Sequence, residues 1–156
     1  MNRSEPSPMS NRELETYLHE HIPLTQSMEL SVQQSNLDSV ELAAPLEPNV
    51  NHRDTVFGGS IAALAMLAGW GLSYMHLRNW PDPIQIVIQR NELEFEEPVE
   101  GPFMARCESP GEPDWPETRS RLERWDKARV HLDVELTVEG HHVGKFQGAY
   151  VILVQS

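Results

Sequence analysis

The chain is poor in cysteine and in positive charge, and both shortages exclude function classes. Its 156 residues hold one cysteine, Cys107, so no internal disulfide can form, and no Cys-x-x-Cys pair offers a zinc ion two thiolates. Lys and Arg number 12 against 24 Asp and Glu, a formal net charge of −12. Phosphates would be repelled, which argues against non-specific binding to nucleic acid or to an anionic membrane surface. A basic, apolar N-terminal signal is also lacking. With the lone cysteine, this sets a cytoplasmic expectation. No internal repeat and no second domain is visible. The reading is a flexible tail over residues 1–10, polar and carrying Pro6 and Pro8, followed by one domain over 11–156.

Charge is missing altogether from Thr55 to Met75. That run is long enough to suggest a membrane span. It holds four glycines, Gly58, Gly59, Gly69 and Gly71, and has no flanking cluster of Lys or Arg. A buried central helix over Gly58 to Leu77 explains it better. Such a helix is apolar almost all round, which requires protein on every side.

Strands surround that helix in sequence. Met28, Leu30 and Val32 alternate with polar residues, as do Val40 and Leu42, with Asn36 and Asp38 between them as a hairpin connection. Ile84, Ile86 and Ile88 form another alternating run. Leu93 and Phe95 continue it with the apolar parity reversed, so a bulge is expected near Gln89 to Asn91. Phe103, Ala105 and Cys107 follow. Val130 to Val138 alternates most cleanly, and Val143 to Val154 returns after a turn at Glu139-Gly140. A short helix over Asn11 to His21, capped by Asn11 and ended by Pro23, and a second over Glu117 to Lys127, with Pro116 at its first position, complete the set. Runs of strands around one helix imply an α+β fold with an antiparallel sheet. Two copies joined edge to edge would finish covering the helix and the sheet edges.

The chemistry is concentrated at Asn51 to Ser60, where polar residues directly precede the buried helix. Glycines there let a ligand approach the backbone. The free N–H groups near Gly59 and Ser60 and the positive end of the helix dipole suit an oxyanion. A tight turn with close packing would use the same glycines. Asn51, five residues and then Phe57-Gly58-Gly59 resembles the Asn-x5-His-Gly-Gly motif of hot-dog thioesterases of the phenylacetate-pathway type. Asn51 with Thr55-Val56-Phe57-Gly58-Gly59-Ser60 and Ala68-Gly69-Trp70 resembles the thioesterase domain at the C-terminus of YiiD-type proteins. Arg129-Val130 through Gly148-Ala149-Tyr150-Val151 fits the closing hairpin of that family. The resemblance implies a hot-dog fold, a homodimer or dimer of dimers, and hydrolysis of acyl-CoA or acyl carrier protein thioesters without a cofactor. It implies that Asn51 positions the thioester or the attacking water and that the Gly58–Ser60 backbone holds the thioester oxygen. It also makes Thr55, Phe57 and Gly58 candidates to line the substrate path.

Two positions depart from that pattern. Phe57 stands where the motif has histidine, and the acid that many relatives carry on the helix would fall near Met66. The base must come from elsewhere: Asp54 first, His52 next, or a residue of a second subunit. Asp54 as a turn acid and His52 as a solvated loop residue are the plain structural alternatives. Arg119, Arg121, Arg124, Lys127 and Arg129 are a local enrichment of positive charge. Arg121, Arg124 and Arg129 could grip the phosphates of coenzyme A or an acidic carrier protein. The alternative is a solvated helix with ion pairs such as Glu123–Lys127. Trp70 and Tyr74 could line an acyl tunnel or pack in the core. Cys107 reads as core, and His141-His142 as turn residues pointing apart, so no metal site is expected. Two other functions stay open: an acyl-binding module without turnover, or a hydratase or dehydratase of the same fold.

Overall fold

The computed structural model describes residues 5–111 and 114–155. Its elements run α1 (Asn11–His21), α2 (Leu24–Ser27), β1 (Ser31–Ser35), β2 (Ser39–Ala44), α3 (Gly58–Leu77), β3 (Ile84–Phe95), β4 (Phe103–Glu108), α4 (Asp114–Trp125), β5 (Lys127–Val138) and β6 (His141–Val154). The six strands form one antiparallel sheet in the order β1-β2-β4-β5-β6-β3. The long helix α3 packs against β2, β3, β4, β5 and β6. This is the α+β hot-dog arrangement, a curved sheet around one apolar helix.

The sheet can receive that helix because its inner face is apolar at every second residue. In β5, Val130, Leu132, Val134 and Leu136 are buried, while Arg129, His131, Asp133 and Glu135 are exposed. Phe103, Ala105 and Cys107 of β4 and Phe146, Tyr150 and Ile152 of β6 extend the same surface. Burial pushes the Cys107 thiol up to about 12, aided by Asp133 and Glu108, so it is a core residue with little thiolate. Strand β6 is interior, between β5 and β3. The parity flip in β3 is a bulge between Ile88 and Arg90, after which pairing with β6 continues to Phe95. Glu139 and Gly140 both have positive φ, 50° and 80°, as a two-residue hairpin turn requires.

Several local expectations change. Ser10, not Asn11, caps α1: its hydroxyl accepts the Glu13 N–H at 3.1 Å, and the Glu13 carboxylate accepts the Ser10 N–H at 3.3 Å. Asn11 instead donates to the Gln33 carbonyl at 3.0 Å. Pro23 starts a further helical turn, α2, so β1 begins at Ser31 rather than near Met28. Helix α4 spans Asp114–Trp125, so Lys127 belongs to β5 and the expected helical pair Glu123–Lys127 is not formed. Among the described residues, α4 carries the ion pair Glu117–Arg121 at 2.9 Å, half exposed on both sides. The stretch expected to be a free tail is anchored from Ser7 onward. Met9 is buried, and the Ser7 carbonyl accepts from Arg78 Nε at 2.6 Å.

Helix and sheet approach closely at Gly69. A Cβ there would collide with the Tyr150 hydroxyl and ring. That contact lets Tyr150 donate to the Met66 carbonyl at 2.7 Å from within the core. Gly69→Ala is expected to destabilise by about 1–3 kcal/mol, the usual cost of overpacking. A shift of roughly 2–4 °C in melting temperature per kcal/mol follows for a domain this size. Tyr150→Phe removes the nearest obstructing atom, so Gly69→Ala should cost less in that background. Equal costs in the two backgrounds, measured by thermal unfolding, would contradict the contact.

Candidate functional site

The connection from β2 to α3 is a braced loop. A single 3₁₀ turn, Glu47–Asn49, buries the Asn49 side chain. Its amide donates to the carbonyls of Met28 at 3.0 Å and Pro45 at 2.8 Å, and its own carbonyl accepts the Phe57 N–H at 2.7 Å. Val50 and Val56 then bridge antiparallel and close a small turn, Asn51 to Thr55. Asn51 organises that turn. Its Oδ1 accepts the N–H groups of Arg53 at 2.8 Å and Thr55 at 3.2 Å, and its Nδ2 donates to Thr55 Oγ1 at 2.7 Å. His52 and Asp54 lie exposed at the turn's tip, Asp54 with a φ of 62°.

Phe57 caps α3 with extended backbone and no side-chain hydrogen bond. Its carbonyl accepts both the Ser60 N–H at 3.0 Å and the Ile61 N–H at 3.3 Å. The first turn therefore closes tightly and uses the Ser60 donor, which was expected to be free. The donors left without an acceptor among the described residues are those of Gly58 and Gly59, one position earlier. They stand at the positive end of a 20-residue helix. Space is tighter at Gly59 than at Gly58. A Cβ on Gly59 would strike the Phe57 ring, and one on Gly58 would lie 3.3 Å from the Phe95 ring.

A cleft of about 400 Å³ opens beside Gly58, lined by Thr55, Ile61, Phe95, Glu96 and Glu97. Phe57 and Phe95 stand more than half exposed at this end of the molecule. Glu96 and Glu97 are the carboxylates in the cleft, and local pattern gave no reason to single them out. They follow β3, and the β3–β6 pairing brings them to the start of β6. His141 Nε2 meets Glu97 at 2.9 Å. His142 bridges Glu96 at 2.5 Å and Glu135 at 3.1 Å. The neighbouring histidines do take different partners, but as a carboxylate–imidazole network beside the cleft. Asp54 and His52 do not line it.

The remaining sequence candidates lie elsewhere. Trp70 is eleven residues along α3 from Gly59, roughly 16 Å at 1.5 Å per residue. It stacks on Tyr74 at 4.8 Å and Tyr17 at 5.9 Å, and Tyr17 stacks in turn on His21 at 4.0 Å. Desolvation and the Tyr17 hydroxyl hold the Tyr74 phenol up at about 12. Arg121 and Arg129 do come together, lining a separate depression of about 360 Å³ with His131. Arg124 lies over the Trp125 ring, 4.8 Å from its centre.

The network sets a pH dependence. Hydrogen bonding to Glu135, reinforced by Glu96, raises the His142 pKa above its ordinary 6.5. The folded state favours the charged ring. Its contribution is complete below the ordinary value and is lost as pH rises through the raised one. The stability advantage of the native protein over His142→Asn is therefore expected to be larger near about pH 6 than near about pH 8, read by thermal unfolding. An advantage independent of pH would contradict the network.

Comparison with known proteins agrees with this architecture. The family model described as "Putative thioesterase (yiiD_Cterm)" matches residues 11–154. A solved protein of unknown function from Chlorobaculum tepidum is 30% identical, with a TM-score of 0.85 over 93% of this chain and 94% of that one. A structure described as a "putative thioesterase" from Shewanella oneidensis is 28% identical, with a TM-score of 0.80 over 93% and 97%. The phenylacetic acid degradation protein PaaI of Thermus thermophilus, in a mutant form, shares the fold at 18% identity, with a TM-score of 0.63 over 85% and 99%. The helix and sheet, the Gly-Gly start of α3 and the match across nearly the whole chain lead to one conclusion: this protein belongs to the YiiD C-terminal thioesterase family.

Proposed function

We propose that the protein hydrolyses acyl thioesters of coenzyme A or of acyl carrier protein at the start of α3. The observation that carries this reading is the pair of N–H groups without a protein acceptor, Gly58 and Gly59, at the positive end of α3 beside a cleft. A thioester carbonyl seated there meets two fixed donors that strengthen their hold as its oxygen becomes negative. Water attacks the carbonyl carbon and gives its proton to a base. The tetrahedral intermediate then collapses, expelling the thiolate, which takes up a proton to leave as thiol beside the carboxylic acid.

The base in this reading is Glu96 or Glu97, because these carboxylates line the cleft whereas Asp54 sits at the tip of an exposed turn. Asn51 and Thr55 hold the turn that sets the height of Phe57 and hence of the donors. The protein acts as a homodimer. Ala62, Ala63, Met66, Leu67, Trp70 and Tyr74 form a half-open stripe along α3 that one copy does not cover. Strand β3 is a twelve-residue sheet edge with Val87 and Phe95 exposed.

Gly58→Pro tests the donors directly. Proline suits the first position of a helix and removes an N–H that no protein group accepts, and Gly58→Ala controls for the Cβ it adds beside the exposed Phe95 ring. Phe57, with φ −60° and ψ 131°, has the backbone a residue before proline needs. Thiol release from a panel of acyl-CoA thioesters should fall by about 10²–10³ in Gly58→Pro, while Gly58→Ala keeps most activity. Glu96→Gln or Glu97→Gln should lower the rate by about 10²–10⁴, and Asp54→Asn should not. Loss confined to Asp54→Asn would move the base to the turn. Acyl-CoA that binds without thiol release would make the protein an acyl-binding module.

A further inference from the structure

The opposite end of α3 holds a second cavity, of about 740 Å³, that thioester chemistry does not use. His76 lies 18 residues beyond Gly58, roughly 27 Å along the helix. The cavity lies between the β1–β2 turn at Leu37 to Ser39, the end of β4 at Arg106 to Glu108, and the first turns of α4 at Trp115 and Arg119. Its size matches sites for small organic ligands.

Two residues that line it each carry a buried side-chain nitrogen without a hydrogen-bond partner: His76 Nδ1 and Arg119 Nε. His76 is 7% exposed and stacked on Trp115, with ring centres 4.2 Å apart. Its other nitrogen, Nε2, donates to the Leu37 carbonyl at 2.8 Å, so in the neutral ring Nδ1 is a bare acceptor. Arg119 donates through Nη2 to the His76 carbonyl at 3.0 Å, where it also complements the negative end of α3. That leaves its Nε–H without an acceptor and its charge without a carboxylate partner among the described residues. Arg106, the other cation in the wall, is already paired with Glu41 at 3.4 Å and Glu108 at 3.1 Å. A partly buried guanidinium with neither an ion pair nor a complete set of hydrogen bonds is costly unless something supplies an anion.

We propose that this cavity binds a small organic oxyanion, a carboxylate or phosphate ester, whose charged oxygens bridge Arg119 Nε and His76 Nδ1. Binding takes up a proton, because His76 must carry hydrogen on both nitrogens to donate to the anion while keeping its bond to Leu37. Burial first, and then Arg119, lower the pKa of the empty-site histidine, while Leu37 and Asp38 oppose that shift. Arg106, Glu108 and Asp38 also face the cavity; Arg106 is shared between Glu108 and Glu41, so Arg119 is the cation left to meet an anion. The bound anion offsets Arg119 and lets the ring charge.

The test is the side-chain ¹⁵N spectrum of His76 in the full chain. Sulfate, which does not titrate in this range, and acetate are added separately against chloride at equal ionic strength. Sulfate stands for the phosphate source and acetate for the carboxylate. The expected result is a saturable change at His76 Nδ1 toward the protonated form with one of the two and not with chloride. Affinity should rise as pH falls, and Arg119→Gln should weaken it by about tenfold or more. Arg119→Lys, which keeps the cation at the end of α3, should fold and bind at intermediate strength. A His76 signal that responds to neither oxyanion beyond chloride would overturn the site. So would a response unchanged in Arg119→Gln, or a Nδ1 shift that shows a constant hydrogen bond to water whatever the salt.

Discussion

Everything in this molecule follows from placing a helix of twenty residues without a charged side chain inside a single sheet. Its side chains cannot face water over most of their surface, so the sheet must curve and present a continuous apolar face. The alternation in β4, β5 and β6 provides that face, and Gly69 lets the helix come close enough for Tyr150 to reach the Met66 carbonyl. Intrahelical hydrogen bonds satisfy the backbone of the helix along its length but leave its two ends as polar points of the core. The unpaired Gly58 and Gly59 donors stand at one end, and Arg119 and His76 at the other.

The N-terminal end is the product of several small constraints acting together. Asn49 is buried and anchors the loop, Val50 bridges Val56, and Asn51 ties the turn to Thr55. These interactions hold Phe57 in extended backbone, so the helix starts abruptly and its first two donors remain free. Loops carry function when a rigid scaffold positions them, and here the scaffold is the core helix itself. A preorganised donor pair needs no rearrangement as charge develops, which is the main reason such pairs are effective.

The fold was legible because its signals were periodic. The uncharged run from Thr55 to Met75 pointed to a central helix over roughly the span of α3, and the parity flip after Ile88 located the bulge. Boundaries set by single side chains were not legible. Ser10 competes with Asn11 for the cap of α1, and only the reciprocal bond with Glu13 decides it. In the site, Asn51 and the two glycines were visible from their position before the helix. Glu96 and Glu97 were not, because they become cleft residues through the register of β3 on β6, a pairing of positions about fifty residues apart. His141 and His142 were set aside as turn residues for the same reason: their carboxylate partners are distant in sequence. Of the basic cluster, Arg121 of α4 and Arg129 of β5 meet at one depression, whereas Arg124 lies over the Trp125 ring, a division that depends on how α4 packs on β5.

The central claim is that a substrate carbonyl oxygen sits on the Gly58 and Gly59 N–H groups. The most direct measurement is the amide ¹H and ¹⁵N shifts of these glycines in the labelled protein. Two analogues of coenzyme A are compared, one with a ketone in place of the thioester and one with a plain thioether that has no carbonyl. A downfield proton shift of both glycines with the ketone and not with the thioether is the predicted result. Equal responses to the two analogues, or shifts that bypass Gly58 and Gly59 while both analogues bind, would contradict the account.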